Sequence, residues 1–234
     1  MKLNPSHPAL TEKRTIHPKM VKNPNSKLFK LVSDNQKMGK GFAIVQKGDK
    51  TGFPVYVLTL QERATCPSYC IHWDNCYGNG MPFAHRFQHG PELEAAIELQ
   101  IAELAKKHVK GFLVRLHVLG DFYSTQYVML WGNLLRKYPN LHVYGYTAYK
   151  FNSNIGFAIR FISDIFKNRC LIRFSTNDTS NTRMVACSDS VPGAVTCPQQ
   201  TGKTESCLTC GLCFSAYKGP IQFLTHKKEK QNEV

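Results

Sequence analysis

From Gly90 onward the apolar positions of this chain switch repeatedly between two rhythms. Leu93, Ile97, Ile101, Leu104 and Ala105 recur at helical spacing and form one stripe. Pro91 and Glu92 suit the first turn of that helix, where a missing N–H costs nothing and an acid complements the dipole. Residues 112–119 read as a strand, closed by Gly120-Asp121. Ser124 or Thr125 can cap a second helix carrying Tyr127, Leu130, Trp131, Leu134, Leu135 and Tyr138, with Pro139 at its stop. Residues 141–146 form the next strand, 155–166 a third helix and 171–175 a further strand. Strands alternating with helices of this length predict βαβ units, hence an α/β fold with a parallel sheet and right-handed crossovers. Ligands on such sheets sit at the carboxyl ends of the strands.

The flanks follow other patterns. Residues 40–45 and 54–60 are β-prone runs separated by the turn-like GDKTG, which predicts a hairpin. Residues 1–35, rich in Pro, Asn and Lys, predict an extended basic arm. Residues 36–185 then make the α/β core. Residues 186–234 form a cysteine-rich metal-binding module whose one strand-like run is 221–224.

Composition narrows the class. At 234 residues the chain fits one domain with a small appended module, and 42% apolar content supplies a core. No run reaches the roughly 18 apolar residues of a membrane span. The N-terminus is basic but lacks the apolar region of a signal peptide, so the expected location is the cytoplasm, without a membrane partner. Net charge is +14, with Lys2, Lys13, Arg14, Lys19, Lys22, Lys27 and Lys30 near the start and Lys227, Lys228 and Lys230 near the end. That excess suits contact with DNA or RNA through the basic termini; two solvated basic tails are the plainer alternative.

Nine cysteines change the picture most. Disulfides are disfavoured in the cytosol and the odd count leaves one unpaired, so the spacing points to metal. Cys66, Cys70 and Cys76 are spaced C-x3-C-x5-C on one loop after a β-run. Three thiolates there can ligate three irons of a 4Fe-4S cluster and leave the fourth open. Zinc is the alternative metal and would want another ligand, with His72 nearest. Cys197, Cys207, Cys210 and Cys213 follow C-x9-C-x2-C-x2-C. Close C-x2-C-x2-C spacing favours wrapping an iron–sulfur cube over a tetrahedral zinc, though C-x2-C is also half of a zinc knuckle. One cluster or two remain open, and Cys187 could substitute as a ligand. Cys170, at the start of an apolar strand, reads as a small buried hydrophobe. Arg115 and His117, two apart in a strand, are expected on one face: a functional pair if that face lines a barrel, a surface pair otherwise. His85, His89 and His226 read as loop residues, and no P-loop, G-x-S-x-G or zinc-protease motif appears.

These residues carry two resemblances. The first loop resembles that of radical S-adenosylmethionine enzymes, which place three cysteines after the first strand of a partial (βα) barrel, spaced C-x3-C-x2-C. This sequence stretches the second interval by three residues. The resemblance implies a partial barrel and S-adenosylmethionine at the open cluster. It implies Gly120 and Asp121 at the ligand's amino group, and Thr147, Ser175 and Asn177 as candidates toward its nucleoside. It also implies an electron donor. Asp121, His117 and Arg115 would then be the catalytic candidates. A closer resemblance covers most of the chain. Thr65-Cys66-Pro67, Cys76-Tyr77, Arg115-Leu116-His117 leading into Gly120-Asp121-Phe122, Tyr146-Thr147, and Cys197-Pro198 leading into Cys207 to Cys213 resemble a phage and plasmid family known as "gene product 88". That likeness implies organisation and genomic context rather than a reaction.

Overall fold

A computed structural model describes residues 1–31, 38, 43–175, 192–217 and 219–224, together with the backbone of Met184–Cys187. Its strands are β1 (Val21–Lys22), β2 (Val55–Val57), β3 (Arg86–Phe87), β4 (Phe112–Leu116), β5 (Leu141–Thr147), β6 (Cys170–Ser175), β7 (Met184–Cys187), β8 (Val195–Thr196) and β9 (Ile221–Phe223). Its helices are α1 (Pro8–Thr11), α2 (Pro91–Lys107), α3 (Thr125–Lys137), α4 (Asn154–Ile165) and the single turn α5 (Cys207–Cys210). Seven strands form one sheet in the order β2-β4-β5-β6-β7-β9-β8. Every pairing in it is parallel. The βαβ expectation therefore holds, with α2, α3 and α4 lying in the connections from β2 to β4, β4 to β5 and β5 to β6. No helix among the described residues is long and apolar enough to cross a membrane.

The helix limits follow local chemistry. Ser124 caps α3 by accepting the Tyr127 N–H at 3.0 Å, and Ser153 caps α4 by accepting that of Gly156 at 3.1 Å. Helix α2 begins at Pro91 and carries Glu92 and Glu94 in its first turn. Its buried residues Leu93, Ile97 and Ile101 pack with Tyr127, Trp131 and Leu135 of α3 and Ile159 and Ile162 of α4 on one side of the sheet. Burying each large apolar side chain stabilises by about 1.5–3 kcal/mol relative to exposure.

Period-2 alternation separates the two faces of the sheet. Phe112, Val114, Leu116, Leu141, Val143, Ile172 and Phe174 belong to the helix-side core. Leu113 and Tyr144 belong to a second core with Ala43, Val45, Val55, Leu208 and Phe214. That opposite face is thus covered by the segment before β2 and by the C-terminal cysteine segment. The expected hairpin is present around GDKTG: the Val45 N–H donates to the Phe53 carbonyl at 2.9 Å, and Ile44 bridges Pro54 antiparallel. Residues 40–42 of that hairpin lie outside the described residues.

Two expectations are corrected. The first 20 residues are not an extended arm. Leu3, Ala9 and Leu10 are buried with Ile16 and Trp73, and the Leu3 N–H donates to the Asp74 carbonyl at 2.9 Å. Scattered apolar residues suffice here because the cysteine loop supplies their partners. The β4 strand ends at Leu116 rather than 119, because His117 has a left-handed φ of 58°. That turn of the backbone breaks the alternation, so Arg115 and His117 do not share a face. His117 is buried against Phe122 and Tyr127 on the helix side, its Nε2 3.1 Å from the Tyr127 hydroxyl. Arg115 lies on the other face, beside Tyr144 and Tyr146.

Candidate metal centre

The loop after β2 is built on buried charge. Glu62 and Arg86 pair at 2.7 Å with side chains 1% and 0% exposed. The Thr15 hydroxyl donates to the second Glu62 oxygen at 2.7 Å. Arg86 also donates to the carbonyls of Met81 at 3.1 Å and Gly78 at 2.9 Å. Arg63 donates to the Trp73 carbonyl at 3.0 Å and the Asn79 side-chain oxygen at 2.7 Å. Asn79 in turn donates to the carbonyls of Met1 at 2.9 Å and Asp74 at 3.1 Å. These side chains direct their hydrogen bonds into the loop and the N-terminal segment. They form a frame, and the cysteines hang from it.

Cys66, Cys70 and Cys76 lie along that frame, and Cys66 feels the charges of the other two. Burial pushes the Cys66 thiol well up, and the negative charges of Asp121, Cys70 and Cys76 push it further, against a backbone hydrogen bond from Arg63. Burial also raises Cys76, against the Gly78 N–H and the cations Arg63 and Arg86. Thiols held this way stay protonated at neutral pH until a cation displaces the proton, which couples metal binding to proton release. His72, the nearest extra donor in sequence, faces Asn75 at 3.3 Å.

Gly120 and Asp121 tie this loop to the sheet. At Gly120, φ is +84° and an added Cβ would stand 2.6 Å from Thr65 Oγ1 and 2.7 Å from Leu60 Cβ. Only glycine lets the end of β4 come so close. The Asp121 N–H donates to Thr65 Oγ1 at 3.0 Å. One carboxylate oxygen of Asp121 accepts the Phe122 N–H at 2.8 Å and the other accepts the Ala148 N–H at 2.7 Å. Burial nevertheless moves its pKa up to about 7, against those two bonds and one from the Thr147 side chain. Asp121 thus joins the ends of β4 and β5. Thr147 is buried beside it and accepts the Tyr149 N–H at 3.0 Å. Ser175 ends β6 half-buried, and Asn177 lies outside the described residues.

The second group sits on the sheet face opposite the helices. Cys197 is fixed when its N–H donates to the Gln222 carbonyl of β9 at 2.8 Å. Ser206 caps the turn Cys207–Cys210, and Gly211 closes it in the left-handed region at φ 69°. Burial pushes Cys207 up to about 12, with the charge of Cys213 adding, Arg115 opposing, and Cys197 and Cys210 adding again. Burial raises Cys213 too, against a hydrogen bond with Tyr146 and the charge of Arg173. The four sulfurs therefore share one electrostatic neighbourhood. Cys170 is buried on the helix side, 3.6 Å from Ser163 Oγ. The side chain of Cys187 lies outside the described residues.

Between the two groups stands a row that the spacing of cysteines gave no sign of: Tyr77, Tyr144 and Tyr146 around Arg115. Tyr77, 48% exposed, is adjacent to Cys76 in sequence and feels the charges of Arg115, Cys76 and Cys66. Tyr144 feels Arg115, Cys207 and Cys213. The alternation of Tyr144 and Tyr146 along β5 was the available signal. Glu62 and Arg63, just before Thr65-Cys66, were a second. Among the described residues no group of three or more His, Cys, Asp or Glu side chains is placed so that it could hold a metal ion.

What fold and site define together is a parallel α/β protein that presents two cysteine groups, one beyond the end of its first sheet strand and one on the sheet face away from its helices. The chain belongs to the gene product 88 family, whose model matches residues 27–231. It is 28% identical over 134 residues to the "Gene 88 protein" of Mycobacterium phage L5, a match covering 50% of this chain and 56% of that protein. The chain thus spans little more than half the length of that curated relative. No solved structure matches it. The phage resemblance read from the sequence is the correct one, and the radical S-adenosylmethionine resemblance finds no support in these matches.

Proposed function

We propose that this phage-family protein is an iron–sulfur protein, with Cys66, Cys70 and Cys76 holding an open 4Fe-4S cluster and Cys197, Cys207, Cys210 and Cys213 a closed one. One observation carries the reading: the cysteines recur as C-x3-C-x5-C on one loop and as C-x9-C-x2-C-x2-C in the C-terminal segment. Closely spaced C-x2-C-x2-C wraps an iron–sulfur cube more readily than it closes a tetrahedral zinc site. An open cluster supplies one-electron transfer and an iron with a free position. In the enzymatic form of this reading the adjacent parallel strands β2, β4, β5 and β6 belong to a partial barrel. S-adenosylmethionine is then the ligand at the open iron, and an electron donor is a partner. Asp121 holds the loop against the strand ends, because its oxygens already take backbone donors, rather than reaching for a ligand.

The test is anaerobic purification followed by iron, sulfide and zinc quantification, with absorption and paramagnetic resonance spectra taken with and without S-adenosylmethionine. Iron and sulfide in about equal amounts are expected, and a spectrum that shifts with S-adenosylmethionine supports the enzymatic form. Zinc without sulfide overturns the reading. A second reading, nucleic-acid binding in the host cytoplasm with structural metal, is favoured by the net charge of +14 and by the basic N-terminal segment packed on the first cysteine loop. Binding to DNA and RNA over a salt series checks it, and affinity that ignores salt counts against it.

A further inference from the structure

Helix α4 is apolar on two sides. Ile159 and Ile162 belong to the core, and Ile162 packs so closely on Gly132 of α3 that an added Cβ there would stand 2.8 Å from it. That inner face is committed, so the helix cannot turn to bury anything more. On the outside Phe157, Phe161 and Ile165 follow one another at four-residue spacing and form one stripe, 62%, 47% and 49% exposed. Phe151, in the turn before the helix, is exposed as well. A helix apolar all round belongs in a buried place, and an exposed apolar patch with a polar rim marks an interaction surface. The stripe lines a surface depression of about 400 Å³, and each of its lining residues, Phe157, Arg160, Phe161, Asp164 and Ile165, belongs to α4. Among the described residues the depression therefore has one wall.

Charge says what the second wall is. At about 100° per residue, Arg160 and Asp164 fall on the same flank of the stripe. The guanidinium carbon of Arg160 lies 4.3 Å from the Phe151 ring centroid and 5.3 Å from that of Phe157, so the cation is held against the aromatic side chains. Asp164 is exposed one turn further on. Such a surface fits its own copy. A two-fold axis through Phe161 sets Phe157 of one copy opposite Ile165 of the second and Phe161 opposite itself, because both lie four residues from the axis. In that antiparallel arrangement like flanks meet, and Arg160 of each copy faces Asp164 of the other to within a residue of register. Parallel packing would instead bring this flank against the side of Ala158 and Ile162, which is already buried.

We propose that the outer face of α4 is the two-fold interface of a dimer of this chain, with Phe157, Phe161 and Ile165 as its apolar seam and two Arg160–Asp164 pairs along one flank. No metal is needed for it, so it stands whatever the cysteines hold. The seam is short. It offers less than the roughly 800 Å² per partner of a standard interface, so the dissociation constant is expected in the micromolar range. The rings supply the affinity, and the charge pairs fix the antiparallel register.

The experiment is analytical ultracentrifugation of the nuclease-treated full chain across the micromolar range, for the native protein and for Phe161→Glu, Arg160→Asp and Asp164→Arg. Each copy carries a net charge of +14, so about 0.15 M salt is used, which screens that repulsion beyond about 8 Å. A monomer–dimer equilibrium is expected for the native chain, and Phe161→Glu weakens it about tenfold or more by placing two carboxylates at the axis. Arg160→Asp and Asp164→Arg each pair poorly with themselves, while an equal mixture of the two recovers the dimer, because an acidic flank then meets a basic one. If Arg160→Asp fails to fold, Phe161→Glu and Asp164→Arg decide the matter, since both replace exposed side chains. A native chain that stays monomeric throughout overturns the proposal, as does a dimer that Phe161→Glu leaves equally tight, or a mixture no tighter than its parts. Binding of the monomer to vesicles of anionic phospholipid, lost in Phe161→Glu, assigns the stripe to a lipid surface and overturns it too.

Discussion

Around Cys66, Cys70 and Cys76 the chain is clamped by an ion pair with no solvent exposure to speak of, two buried arginines and a folded-back N-terminal segment. Around Cys197, Cys207, Cys210 and Cys213 it is held by a two-residue strand, one helical turn and a left-handed glycine. No ion pair among the described residues falls in the second segment. Its anchorage is apolar: Leu208 and Phe214 sit in the core with Tyr144, whose ring centroid is 5.2 Å from that of Phe214. The contrast teaches that two cysteine groups in one chain can rest on different supports. The loop of the first group is fixed by the protein's own charges. The second has little local structure, so metal would contribute directly to its order.

The comparison can be broken most forcefully at Glu62. Replacing it by Gln strands Arg86 at 0% exposure, and about 3–5 kcal/mol of stability is expected to go. Chemical denaturation measures the loss, and hydrogen exchange should show it in residues 62–81 before residues 197–213. Gly120→Ala comes next. A left-handed φ and contacts of 2.6 and 2.7 Å predict a loss of about 2–3 kcal/mol, with the first loop displaced and the second untouched.

Acid probes the strand both regions lean on. Burial lowers the His117 pKa to about 3, below its unfolded value of 6.5. The stability from keeping it neutral is complete above pH 6.5 and is lost as pH falls toward 3. At pH 5 the deficit is about 2 kcal/mol against neutral pH. His117→Asn, which tolerates the left-handed backbone, is expected to flatten that part of the urea-measured profile. Smaller still is Gly211→Ala, where the left-handed φ remains but the nearest atoms stand at 3.6 Å. A cost of about 1 kcal/mol, read as a lower melting temperature, is confined to the second region. Lys2→Ala, which removes an ion pair with Asp74 whose partners are 75% and 34% exposed, should leave the melting temperature unchanged.

Much of the sheet was legible in the sequence because its helices obey their period closely. Helix α3 could be placed from Ser124 to Tyr138 by cap and stripe alone, and β6 begins one residue before its expected start. The end of β4 was not legible. Val118 and Leu119 are as apolar and buried as the strand before them, so composition cannot reveal that His117 turns the backbone. The N-terminal segment was hidden for a different reason: Leu3, Ala9, Leu10 and Ile16 follow no period and are buried only because Trp73 and its neighbours meet them. Cysteine spacing marked the candidate site, while its frame went unseen. Glu62 and Arg86 are partners across 24 positions, and no local pattern announces such a pair. Arg115 was singled out, but with the wrong companion, because alternation was carried past the point where the strand stops.

The partners of the first cysteine loop have a consequence for how the protein is made. They run from Met1, through Thr15, Arg86 and Gly120, to Ala148 and Lys150, where the backbone N–H meets the Tyr69 hydroxyl at 3.3 Å. Chains emerge from the ribosome N-terminus first, at about 5–20 residues per second. Every residue that shapes this loop has therefore been synthesised before Cys197 is added, and several seconds separate the two events. Folding would proceed in a set order, with the parts of the clamped loop all made while the later cysteines are still untranslated.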